Sequence, residues 1–198
     1  FVIVVLGTAL VTFARTDRLD SLGSLEAPVK NKDHWHAAFG IYVCDTFLPA
    51  ASDLPGKADT DGIHTHGDGI AHIHPYSAKG SGTNAKLKVF GEMIGLEFTA
   101  DSFTFGGTTY SNGFMCGDKP AKVMLYRWSD AFDESIPAEV FTSDIGEVRF
   151  RDDRSAFTLA VVPEGTEVPR PESVPTLDNL SDVPGSATSG AEGVDPSQ

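Results

Sequence analysis

The chain of 198 residues is 40% hydrophobic and carries 28 acidic against 15 basic residues, a formal charge of −13. That length holds one domain of ordinary size with a real core, and it falls short of the ~250 residues of a β/α barrel. The charge repels phosphate backbones and anionic headgroups, which argues against nucleic acid as a partner and against lipid adsorption by the soluble part; it concentrates cations around the domain instead.

In chain order, residues 1–14 (FVIVVLGTALVTFA) form an uncharged apolar run. About 20 such residues span a bilayer, so the run is expected to be part of a longer single-pass transmembrane anchor, with a cleaved signal peptide as the alternative. The expected location is the cell membrane, with the following domain on the extracytoplasmic side, although Arg15 and Arg18 leave the orientation rule unbalanced. Residues 15–32 read as a polar stalk, and residues 33–162 as the folded domain. Residues 163–198 hold six prolines and seven acids against the single base Arg170, a composition expected to stay disordered because it buries too little apolar area to offset its ordering entropy.

Within the domain, residues 35–43 end in an alternating β-rich run. Residues 62–74 predict two short strands around a Gly67-Asp68-Gly69 turn. Residues 85–94 place Leu87, Phe90, Met93 and Ile94 at helical spacing, with Asn84 as a cap. Residues 98–105, 121–129, 140–150 and 155–162 read as strands, the last two paired through an Asp152-Asp153 turn. The expected fold is α+β, a small antiparallel or mixed β-sheet with one short helix. Cys44 and Cys116 are expected to form a disulfide in an exported chain; two buried thiols are the alternative, and metal ligation is disfavoured because neither lies in a C-x-x-C spacing.

The histidines carry the functional signal. All six lie in His-x-His pairs: His34 and His36, His64 and His66, His72 and His74. In a strand, residues i and i+2 point to one face about 7 Å apart, so each pair aims both imidazoles at one site. If residues 67–69 form a three-residue loop, His64 opposes His72 and His66 shares their face with His74; a two-residue loop would shift the register and separate the pairs. Imidazole is the commonest protein ligand for Zn and Cu. The candidate metal ligands are therefore His64, His66, His72 and His74, with His34 and His36 in support. Asp33, Asp61 and Asp68 are carboxylates near enough in sequence to ligate or to orient a ring. A metal-free cluster of hydrogen-bonded histidines is the structural alternative.

The stretches Asp33-His-Trp-His-Ala-Ala-Phe-Gly-Ile-Tyr-Val-Cys44 and Gly62-Ile-His-Thr-His-Gly-Asp-Gly-Ile-Ala-His-Ile-His-Pro75 resemble an uncharacterised family of membrane-anchored actinobacterial proteins. They are similar, more distantly, to archaeal and bacterial proteins with an H-x-H…H-T-H…G-x-x-H-I pattern. The resemblance covers roughly residues 33–162 and implies a domain of that type, with no reaction attached.

Known histidine chemistries fit poorly. A cupin places Glu a few residues after His-x-His, whereas Gly67 to Ala71 contain none. Amidohydrolases need a barrel this chain cannot build. Copper-zinc superoxide dismutase has a comparable G-x-H-x-H segment and a disulfide, but here the second histidine set follows too closely. No nucleophile elbow, P-loop or dinucleotide fingerprint is present. The sequence thus supports an extracytoplasmic domain binding a divalent transition metal (Zn or Cu). A metalloenzyme, copper redox or zinc hydrolytic with Asp68 or Asp61 moving protons, is a second reading, and a non-metal interaction domain a third. No protein partner is indicated.

Overall fold

A computed structural model of the protein describes residues 27–180. The expected membrane anchor and residues 181–198 lie outside the described residues. Among the described residues, no helix is long and apolar enough to cross a membrane.

Among the described residues, eleven strands form two sheets: β1 Trp35–Val43, β2 Thr46–Phe47, β3 Ile63–His64, β4 Ile70–Ile73, β5 Glu97–Phe98, β6 Ser102–Phe105, β7 Thr108–Ser111, β8 Met115–Cys116, β9 Lys119–Trp128, β10 Glu139–Phe141 and β11 Ser155–Pro163. The main sheet runs β10-β9-β11-β1-β4-β3, with β2 on β1 and β8 on β9, while β5-β6-β7 form a small second sheet. Only β1 and β11 run parallel; their neighbours β4 and β9 are antiparallel to them. The mixed sheet with one helix agrees with the expected class.

The pleat sorts β1 cleanly. Ala37, Phe39 and Ile41 point into the larger core together with Ile63, Ala71, Ile73, Phe157, Leu159 and Val161. The one α-helix among the described residues, α1 Leu87–Ile94, closes that core with Leu87, Val89, Phe90, Met93 and Ile94. Phe90 meets Phe39 edge-on at 5.2 Å. On the opposite face lie Ala38 and Ile70, packed with Trp128, Leu177 and Leu180. β11, covered on both faces, is buried at every position but its last, which is why it reads as a continuous apolar run rather than an alternating one.

Three expectations are corrected. The helix starts two residues later than its periodicity suggests, with Lys86 as an N-cap that makes no side-chain bond. The backbone before it is already engaged: Phe150 N donates to Ala85 O and Leu87 N to Val148 O. Asn84 sits instead in a 3-10 turn, Gly82–Asn84, and its amide reaches Ala78 O. Residues 140–150 do not form one strand hairpinned to β11. Only Glu139–Phe141 is strand, paired with β9, because Asp144 adopts a left-handed conformation and a 3-10 turn, Ile145–Glu147, follows. Both edges of β11 are taken by β9 and β1, and the Asp152-Asp153 side chains serve other purposes: Asp152 pairs with the buried Arg127, and Asp153 Oδ1 accepts the His36 amide.

The third correction concerns the tail. Residues 163–180 are ordered against the sheet. Val168 packs on Ala160 and Val162, and Leu177 and Leu180 are buried. Polar ties reinforce them: Thr158 Oγ1 donates to Pro169 O, Arg154 Nη1 to Leu177 O, and Arg170 stacks over Trp128 at 5.3 Å. A few spaced apolar residues suffice here because the sheet face beneath them is already built, so composition alone underestimates their order.

Cys44 and Cys116 are joined in a disulfide 72 residues apart in sequence, tying the end of β1 to β8. A closed loop of that size stabilises by about 4 kcal/mol in the chain-entropy model, a large share of the ~5–15 kcal/mol typical of a domain. A Cys44→Ser/Cys116→Ser variant is expected to unfold at markedly lower urea concentration, with a loss approaching that figure; an unchanged midpoint would show that the bridge adds nothing to the packed sheet.

Candidate metal centre

The register of three adjacent strands assembles the histidines. His36 opposes His72 across β1 and β4, and His64 opposes His72 across β3 and β4. His36, His72 and His64 thus form one row across the sheet, and all of them point away from the core. The expected clustered register is the one observed, although the strands separate after His64 and residues 65–69 form a longer loop than the three-residue turn.

The six imidazoles form a closed circuit of neighbours. Ring centroids are 4.9 Å apart for His34 and His36, 5.0 Å for His36 and His72, and 4.3 Å for His72 and His66. The circuit continues at 5.1 Å from His66 to His64, 4.7 Å from His64 to His74 and 5.0 Å from His74 to His34. His36 and His72 are buried, His64 and His74 half-buried, and His34 and His66 exposed, so the cluster opens to solvent.

Within it, ligand atoms of His66, Asp68 and His72 all lie within 4.8 Å of one another, the one such trio among the described residues. Asp68 is held at both oxygens. Its Oδ1 accepts Ile70 N at 3.0 Å and Thr65 Oγ1 at 3.3 Å, while Oδ2 lies 3.1 Å from His72 Nε2. The loop that carries it is anchored from outside. Asp53 Oδ1 accepts the Thr65 amide, and Gly69 O accepts both Phe39 N and Ser173 Oγ. Gly69 has a positive φ, and a Cβ there would come within 2.7 Å of Ser173, so the contact with the C-terminal segment requires glycine.

Burial alone would raise the Asp68 carboxyl, but the hydrogen bonds from His72 and the Ile70 amide, together with the His72 charge, outweigh it and hold it at about 2. His74 is pushed down to about 4, first by burial and then by the neighbouring His64 and His34, with Asp59 opposing. Its Nδ1 pairs with Tyr76 Oη at 2.8 Å. Near neutral pH this leaves an ionised carboxylate and an uncharged imidazole, the forms that bind metal.

Of the three carboxylates singled out by sequence, only Asp68 joins the trio. Asp33 Oδ2 accepts the Val29 amide, and Asp61 accepts Ser77 Oγ and pairs with Lys79. Sequence reasoning missed Asp59, whose Oδ2 lies 2.8 Å from His64 Nδ1. Only its position five residues before His64 hinted at it. His34, His36, His64 and His74 surround the trio without being part of it.

Both shifts make acid destabilising. Folded His74 binds its proton only near pH 4, whereas an unfolded histidine does so near 6.5; folded Asp68 protonates near 2, against 3.8 unfolded. The unfolded state therefore holds more protons across these windows, and stability falls as pH drops from about 6.5 to 4 and again from about 4 to 2. The metal-free protein is expected to lose melting temperature steadily below pH 6.5, and His74→Gln to flatten the upper part of that decline; an equal slope in the variant would contradict the assignment.

No protein-family model matches the chain, and neither a curated protein nor a solved structure shows significant similarity to it.

Proposed function

We propose that this chain is an extracytoplasmic, membrane-anchored domain that binds a divalent transition metal, Zn or Cu, at His66, Asp68 and His72, with the remaining histidines around the site. The observation that carries the reading is the convergence of those three ligand atoms within 4.8 Å. Ligands around one ion with bonds of about 2.0–2.2 Å lie roughly 3–4 Å apart, so a small rotation of the exposed His66 ring closes the set. Two imidazoles and a carboxylate suit borderline divalent ions, and the overall negative charge favours their approach. The apolar run at residues 1–14 and the disulfide are consistent with an oxidising, membrane-proximal location. The resemblance of the two histidine segments to membrane-anchored actinobacterial proteins points the same way.

A metalloenzyme is the second reading, favoured by one feature: three protein ligands with an exposed histidine leave a position for water, the arrangement of catalytic zinc sites.

Metal content measured on untagged protein purified without chelator is expected to show about one Zn or Cu per chain. His66→Ala changes a solvent-exposed side chain and so should fold normally. It is expected to weaken zinc binding by on the order of 100-fold or more, beyond the 10–100-fold typical of supporting residues. Wild-type protein that retains no metal and takes up none on titration would refute the proposal.

A further inference from the structure

Asp59 stands outside the trio, and both of its oxygens are engaged. Its Oδ1 accepts the Gly62 amide at 2.7 Å and the Asp61 amide at 3.1 Å. That fixes the side chain and leaves Oδ2 aimed at His64 Nδ1, 2.8 Å away. The turn beneath is equally constrained. Gly62 has a positive φ, and a Cβ on it would lie 2.2 Å from His74 O, whose own amide returns a hydrogen bond to Gly62 O.

A carboxylate only accepts, so the His64 proton resides on Nδ1 and Nε2 carries the lone pair, which accepts from His66 in the metal-free protein. That Nε2 lies 3.1 Å from Nε2 of His66. Two ligands on a tetrahedral ion with bonds of 2.0–2.1 Å are separated by about 3.3 Å. An ion that replaces the proton shared between these nitrogens would therefore find them almost at coordination spacing.

We infer that Asp59 is a positioning residue that fixes the His64 tautomer, so that Nε2 of His64 completes a four-ligand site with His66, Asp68 and His72. The inference rests on the metal-binding reading above and narrows it to a closed His3Asp centre, suited to holding an ion rather than exposing it to substrate. A carboxylate that receives the distal proton of a ligating imidazole both orients the ring and raises its basicity.

The test is Asp59→Asn in the full chain. Asn Oδ1 still accepts the Gly62 and Asp61 amides, but an amide N–H now faces His64 Nδ1. The proton is driven to Nε2, the atom needed for the metal. The expected results are a switch of the His64 tautomer in nitrogen-15 NMR of the metal-free protein and zinc binding weakened 10–100-fold in competition with a chromophoric chelator. His64→Ala, which leaves Asp59 and its turn intact, is run beside it. It is expected to lose affinity at least as strongly and to replace the intense absorption of four-coordinate cobalt(II) with a weaker band. Wild-type protein that binds zinc while both variants bind it equally well would overturn this inference alone. Wild-type protein that binds neither zinc nor cobalt would overturn the metal reading itself.

Discussion

Everything at the candidate site depends on the pleat parity shared by β1, β4 and β3. Ile63, Ala71 and Ile73 are fully buried on the helix side, and their neighbours His64, His72 and His74 project from the other. Sliding one strand by a residue would exchange the two sets. Fully burying an isoleucine side chain is worth roughly 1.5–3 kcal/mol, so a slip that exposed both isoleucines would consume several kcal/mol of a stability that is typically only ~5–15. The hydrophobic core on one side thus fixes the register, and the register places the imidazoles on the other. No attraction among the histidines is needed to bring them together.

Gathering imidazoles is nevertheless unfavourable without partners, since protonated rings repel and buried polar atoms need hydrogen bonds. The molecule answers with carboxylates and hydroxyls at the rim: Asp68 at His72, Asp59 at His64 and Tyr76 at His74. The backbone of His36 is fixed separately, its amide donating to Asp153 Oδ1 and its carbonyl accepting from Arg154 N. These contacts come from both ends of the domain. Rings drawn from three strands are thus oriented by side chains close to them in sequence, while only the His36 backbone is fixed from a distant segment.

The C-terminal segment belongs to the same design. One half of the outer sheet face is occupied by histidines and the other half by Leu177, Leu180 and their neighbours. Ser173 links the two halves through Gly69, at the base of the loop that bears Asp68. Order in this segment and placement of the carboxylate are therefore coupled through a single carbonyl.

Much of this was legible from sequence. Alternation at the end of residues 35–43 and the strand signal of residues 155–162 marked the two central strands, spacing at two residues put each histidine pair on one face, and the Gly67-Asp68-Gly69 turn joined two of the pairs as a hairpin. Each of these is a local property of the backbone. What only the tertiary structure decided is non-local: that β11 inserts between β9 and β1 rather than pairing with residues 140–150, and that residues 163–180 pack on a face already formed. Strand order and side-chain partnership depend on which surfaces remain uncovered once the chain collapses, and residue spacing carries no record of that.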